Sequence, residues 1–441
     1  MKGLTDEPNY TIELLEAGTT IEDVIDNHIY EQALAEKNAF VVADLGAVMR
    51  QHVLWQGGMP QVRPFYPVRC NSSPALIELL AALGTGFVCA NKAEAALVLN
   101  HDVAPDNIIW SGACKQLAHL KYAAKNGIGY LVCDNETELC KIARAHPSAK
   151  LLLQVSTEPH GEEASMAMGC SLKSCRHLME MAKELGVQVA GVTFQVPVPC
   201  KDLQAYTHAL SDARCVFDMG EELGFHMNVL DIGGGFSGSE TQLKQVYAAM
   251  KPLLEAYFPP VSGVTIMAEP GTFYVSPAFT LAVNVIGKEV VARDRKDQLE
   301  GSDKLTGDDE PEFQYYMSDG VYGSFMGKLL GGSIPHPSVH KTSMSAEEEV
   351  VYSSSLLGPS CDPLDRVLED CLLPELEVGD WLVFPGMEPL GSSPSASSLG
   401  TDADSPPVYY TIMTADWYDM QEAGLPLDST MKNFSLVQYG I

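Results

Sequence analysis

Two short runs could hold an anion. Asp231-Ile232-Gly233-Gly234-Gly235-Phe236 follows an apolar stretch, and three successive glycines let backbone N–H groups approach a negative ligand closely. Glu269-Pro270-Gly271 follows the next apolar stretch and adds a carboxylate beside a tight turn. A glycine triplet alone is usually only a turn, but two such motifs on successive strand ends favour a phosphate-cofactor site, past or present. Position 69 limits what such a site could do. Arg69 closes the run Phe65-Tyr66-Pro67-Val68-Arg69. A lysine there could lose its proton and condense with an aldehyde, whereas a guanidinium stays charged and cannot.

The elements that would position these residues recur regularly. Apolar runs at Phe65–Arg69, Gly86–Ala90, Ile108–Ser111, Tyr130–Asp134, Leu151–Val155, Val189–Val196, Val229–Ile232 and Val264–Ala268 alternate with amphipathic stretches. Eight continuous apolar strands separated by helices predict an α/β TIM (β/α)8 barrel over residues 45–275. A doubly wound sheet is the alternative, but no GxGxxG follows the first strand. Beyond 275 the pattern shifts to strands at Ala278–Ile286, Gln314–Ser318, Glu349–Ser354, Trp381–Phe384 and Val408–Thr414, with a short helix over Ala415–Ala423. Residues 276–441 therefore read as a mostly β domain, which the strand Ala39–Ala43 of the segment 1–44 is expected to join. Two polar stretches, 293–312 and 391–407, lack the apolar residues to offset ordering entropy and read as disordered loops.

Charge narrows the partners. Fifty-eight acidic against twenty-eight basic residues give a formal charge of -30, which repels nucleic acid and anionic membranes and favours a basic partner at encounter. The eleven cysteines form no CxxC pair and the eleven histidines no HExxH motif, so reduced thiols and no metal are expected. No apolar run is long enough to span a bilayer, and the start carries no signal-peptide core. The expected location is the cytoplasm, with the nucleus as a second candidate.

The motifs taken together resemble the eukaryotic ornithine decarboxylase family over nearly the whole chain. They are Phe65–Asn71, Leu210–Met219, Asp231–Phe236, Glu269-Pro270-Gly271, Asp319-Gly320-Val321-Tyr322-Gly323-Ser324-Phe325 and Gly358-Pro359-Ser360-Cys361-Asp362. The resemblance implies an alanine-racemase-like barrel with a C-terminal β domain. In the enzymes of the family it also implies pyridoxal 5′-phosphate. Compared position by position, the Schiff-base lysine is Arg69, the second-strand aspartate Val88, a strand-five arginine Gln154 and the ring-stacking histidine Gln195. The phosphate turn is Pro197-Val198-Pro199 and the phosphate arginine Thr272. In the β domain, a tyrosine and aspartate are Leu330 and Gly331, and a final phosphate tyrosine is Leu390. What survives is Glu94, Gly233, Gly234, Gly235, Glu269, Tyr322, Cys361 and Asp362.

The losses fall together on covalent attachment, stacking, phosphate grip and substrate recognition. They imply no cofactor and a pseudoenzyme, with Arg69, Glu94, Glu269, Cys361 and Asp362 as remnants of a catalytic site. The chain most resembles the family's non-catalytic members, which bind antizyme. Its similarity to them includes Asp416–Gln421 and Met431–Phe434. The resemblance places the antizyme-facing surface around Lys115–Asn126, with Lys115, Lys121 and Lys125 as contacts, of which Lys121 and Lys125 share a helix face at i, i+4. A monomer or weak homodimer is expected. The alternative is a pyridoxal-phosphate-dependent amino acid decarboxylase with a rebuilt site.

Overall fold

The structure is a computed structural model that describes residues 10–32, 37–157, 169–196, 202–291, 311–330, 332–340, 350–360, 362–387, 406–422 and 431–439. It divides into two compact units. One takes in Tyr10, Gly46–Ser276 and Asp416–Phe434, the other Thr11–Leu45, Pro277–Ala415 and the residues from Ser435.

Strand β1 (Tyr10–Leu15), helix α1 (Ile21–Gln32) and strand β2 (Phe40–Asp44) come first, and α2 (Leu45–Gly58) leads into the barrel. Eight parallel strands then close on themselves: β3 (Val62–Pro67), β4 (Gly86–Cys89), β5 (Ile108–Trp110), β6 (Tyr130–Cys133), β7 (Lys150–Val155), β8 (Gln188–Phe194), β9 (Val229–Asp231) and β10 (Thr265–Ala268), with β10 pairing back to β3. They match the eight expected runs. Both strand faces are buried, so no polar alternation interrupts the apolar runs. The interior is filled by one residue per strand: Phe65, Val88, Ile109, Val132, Leu152, Ala190, Val229 and Met267. Val88 thus stands in an apolar layer.

Helices α3 (Pro74–Ala82), α4 (Lys92–Leu99), α5 (Leu117–Lys125), α6 (Glu136–Ala145), α7 (Leu172–Leu185), α8 (Leu203–Leu223), α9 (Glu240–Tyr257) and α10 (Gly271–Val275) follow the successive strands. Several start where a short polar side chain satisfies an otherwise unpaired backbone N–H. Asn91, Asn135, Ser171, Asp202 and Ser239 cap α4, α6, α7, α8 and α9 in this way.

The second unit is built on β2 with β1, β11 (Phe279–Val291), β12 (Glu312–Met317), β13 (Ser338–His340), β14 (Val351–Leu357), β15 (Arg366–Pro374), β16 (Trp381–Phe384), β17 (Val408–Met413) and β18 (Phe434–Gln438). They form one sheet, in the order β15-β14-β12-β11-β2-β17-β1-β18, with β16 pairing both β11 and β13. The strand expected at Ala39–Ala43 is β2, antiparallel to β11 and parallel to β17. A core of Leu15, Val24, Ile25, Ile29, Phe40, Val42, Ala282 and Trp381 packs α1 onto the sheet.

Not all of the mostly β region 276–441 groups with the β unit. From Asp416, inside α11 (Thr414–Glu422), the chain groups with the barrel unit until Phe434. Polar contacts tie it there: Arg50 pairs with Asp416, and the Glu78 carboxylate accepts from the backbone N–H groups of Lys432 and Asn433. Of the two stretches read as disordered, 293–310 and 391–405 lie outside the described residues, while Glu312 already opens β12.

Candidate functional site: a glycine loop satisfied from within

The glycine loop follows β9. Gly233 has φ +68°, and a Cβ there would stand 2.0 Å from the Phe194 carbonyl oxygen, so only glycine fits both the backbone turn and the approach to β8. Several of the loop's polar groups have protein partners. The Gly233 N–H donates to Asp231 Oδ1 (3.0 Å) and the Gly234 N–H to Gln195 Oε1 (3.2 Å). The carbonyls of Gly233, Gly234 and Gly235 accept from the Glu269 N–H (2.7 Å), the Tyr206 hydroxyl (2.8 Å) and Gln242 Nε2 (2.9 Å).

Glu269 sits at the end of β10, 5% exposed, and its Oε1 accepts from Gln195 Nε2 at 2.8 Å. It also faces Asp231, which is fully buried and accepts from the Thr193 hydroxyl at 3.0 Å. Burial, then the charge of Glu269 and a hydrogen bond with it, push the Asp231 carboxyl well above the usual carboxylate range.

Arg69 lies in a 3-10 turn over Val68–Cys70 with an exposed side chain. Glu94, expected as a catalytic remnant, is a helix cap. Its Oε2 accepts from the Ala90 N–H (2.7 Å) and its Oε1 from Asn91 Nδ2 (2.6 Å), while Asn91 Oδ1 accepts from the Glu94 N–H (3.0 Å). Burial raises the Glu94 pKa, opposed by the Ala90 N–H, the charge of Arg69 and Asn91. In the β unit, Tyr322 and Asp362 come together, the hydroxyl donating to Oδ2 at 2.7 Å. A backbone N–H from Leu364, then Tyr322, hold Asp362 below its ordinary value. Cys361, Pro197-Val198-Pro199, Gly331, Leu390 and the Leu330 side chain lie outside the described residues.

Of the three lysines expected on the partner surface, Lys121 and Lys125 are exposed on α5. Lys115 is not on that surface: it is 4% exposed. Its Nζ donates to the Gly112 carbonyl (2.7 Å) and the Val132 carbonyl and lies 3.9 Å from buried Glu138. Burial lowers its pKa, with Cys133 and Glu138 opposing. An ammonium at the end of a barrel strand finds carbonyls that close the local polar account, and the motif spacing gave no sign of that burial. Sequence reasoning also missed Asp231, Thr193, Tyr206 and Gln242. Asp231 carried a usable signal, since an Asp two residues before a glycine readily accepts that residue's N–H.

Residues 45–276 match the family model described as the pyridoxal-binding domain of pyridoxal-dependent decarboxylases. A protein named antizyme inhibitor 1 from Pongo abelii is 54% identical over 439 residues, 99% of this chain and 96% of that one. The chain belongs to the ornithine decarboxylase family. Ornithine decarboxylase of Rattus norvegicus is 45% identical over 415 residues, 93% of this chain and 88% of the enzyme. Among solved structures, the Paramecium bursaria Chlorella virus arginine decarboxylase bound to agmatine superposes with a TM-score of 0.75 at 26% identity, over 88% of this chain and all of that one. The Vibrio vulnificus lysine/ornithine decarboxylase complexed with cadaverine gives 0.71 at 26% identity, over 90% and 99%. The barrel with its β unit is thus the fold of the family's enzymes, and the glycine loop and Glu269 hold the two strand ends singled out in the sequence.

Proposed function

We propose that this chain is a non-catalytic member of the ornithine decarboxylase family that binds antizyme and so raises polyamine synthesis and uptake. One observation carries the loss of catalysis: the Gln195 amide ties the Glu269 carboxylate to the Gly234 N–H. A pyridoxal phosphate would need that carboxylate for its ring nitrogen and that N–H for its phosphate. Both are already engaged, and no amine stands at position 69 to attach the cofactor. The residues present do not fit the cofactor.

Antizyme as partner rests on the names of the relatives and on the exposed Lys121/Lys125 face, a local positive patch on a chain of formal charge -30. A protein without a shared active site has no catalytic need to dimerise, which fits a monomer or weak homodimer acting in the cytoplasm. The test is capture of the chain by immobilised antizyme, with ornithine decarboxylase as positive control. A parallel titration with pyridoxal phosphate is followed by visible absorbance. Capture without a bound-cofactor band is expected. Failure of capture refutes the partner, and a cofactor band with carbon dioxide release from an amino acid establishes the rebuilt decarboxylase instead.

A further inference from the structure

Beside the end of β7, two thiols face each other. Cys170 Sγ and Cys175 Sγ are 3.1 Å apart, and the residues are 5% and 0% exposed. The backbone fixes both. Gly169 takes φ +100°, and a Cβ there would stand 2.7 Å from the Ser156 nitrogen, so glycine alone lets the chain lie against the strand end. Cys170 then bridges to Val155, its N–H donating to the Gln154 carbonyl (2.8 Å) and its carbonyl accepting from Ser156 (3.1 Å). Ser171 caps α7, whose first turn carries Cys175, and the Cys175 N–H donates to the Ser171 carbonyl at 2.8 Å. Five residues apart in sequence, the sulfurs are held near bonding distance by a strand bridge and a helix cap.

We propose that Cys170 and Cys175 form a reversible oxidative modification site, closing an internal disulfide by exchange with a small-molecule disulfide such as glutathione disulfide. The step balances. Cys170, the more exposed, loses its proton and attacks one sulfur of the small disulfide, expelling one thiolate and forming a mixed disulfide. Cys175 then loses its proton and attacks the Cys170 sulfur, expelling the second. Two protein thiols are oxidised and one disulfide is reduced to two thiols. A hydrogen bond to Cys175, then burial, push the Cys170 thiol up, so the exchange is slow at neutral pH and quickens as pH rises. The product staples the end of β7 to the first turn of α7, with the Cys175 sulfur shielded from attack.

The test uses the full chain, reduced and then equilibrated in glutathione buffers of rising oxidised fraction, in native buffer and in sub-denaturing urea that opens buried sites. Samples are alkylated and digested with trypsin. Lys173 lies between the two cysteines, so the disulfide joins the tryptic peptides 151–173 and 174–176 in one cross-linked species. That species is expected to accumulate, to disappear on return to reducing buffer, and to be lost in Cys170→Ser and Cys175→Ser. The proposal is overturned if no cross-linked species forms in either condition once the exposed thiols of Cys114, Cys140 and Cys215 have taken up glutathione.

Discussion

Gln195 and Glu269, far apart in sequence, are joined beside the glycine loop: Gln195 Nε2 donates to Glu269 Oε1 at 2.8 Å while its Oε1 accepts from the Gly234 N–H. One side chain thereby satisfies an acid and an amide that would otherwise wait for a ligand. Gln195→Leu leaves both groups without that partner, and an unsatisfied buried polar group costs about 1–3 kcal/mol. Urea denaturation should show a loss of that order. An unchanged midpoint would mean that water or a neighbour replaces the amide without penalty.

Restoring the missing amine should not restore chemistry. Arg69→Lys supplies a nucleophile, but Val88 lies in the apolar barrel layer and Gln195 still occupies Glu269 and Gly234. Incubation with pyridoxal phosphate, borohydride trapping and mass spectrometry should find no adduct at position 69, and no carbon dioxide should be released from ornithine. An adduct with turnover would show that the site is closer to active than its hydrogen bonds indicate.

Two buried groups should oppose each other in the pH dependence of stability. His52 is 3% exposed, with Nδ1 2.9 Å from the Tyr274 hydroxyl and Nε2 3.0 Å from Gln56 Nε2, and burial lowers its pKa to about 4. An unfolded histidine takes its proton near 6.5, so between those values the unfolded state binds more protons and stability rises with pH. The full effect is about 3 kcal/mol. Asp231 acts the other way: its raised pKa keeps it protonated when folded, so its contribution is complete below the unfolded value of 3.8 and is lost as pH rises. Relative to the parent chain, His52→Gln should lose the rising component between pH 4 and 6.5, and Asp231→Asn the falling one above 3.8. Parallel curves for parent and variants would contradict both assignments.

The barrel was legible because its strands are buried on both faces, leaving eight apolar runs that nothing else explains. The β unit was less so. β15 is an edge strand whose alternation breaks at Glu369-Asp370, where Asp370 takes φ +53° and the pairing with β14 shifts register. β13 spans only three residues, Ser338–His340. In the site, the glycine loop and Glu269 could be read because spacing and residue type suffice. Glu94 and Lys115 could not, because a capping carboxylate and a buried ammonium differ from functional ones only in what surrounds them. Gln195 was legible as a lost histidine but not as a bridge, since its two partners are 39 and 74 residues away.

The lysines near α5 divide into exposed and buried, and the two classes should separate experimentally. Lys121 and Lys125 are exposed, so Lys121→Glu with Lys125→Glu should leave unfolding within about 0.5 kcal/mol of the parent chain. If that face meets antizyme, the same double variant should weaken binding about tenfold or more, mainly through slower association that is sensitive to salt. Lys115→Met strips the Gly112 and Val132 carbonyls of their donor and leaves Glu138 to its ion pair with Lys141 and the N–H of residue 115. Breaking a buried, hydrogen-bonded charge costs about 3 kcal/mol, so this variant should unfold earlier while its folded fraction binds antizyme with little change in salt dependence. Titration calorimetry beside urea unfolding reads both quantities. A Lys115→Met variant with parental stability and lost binding would return Lys115 to the contact surface.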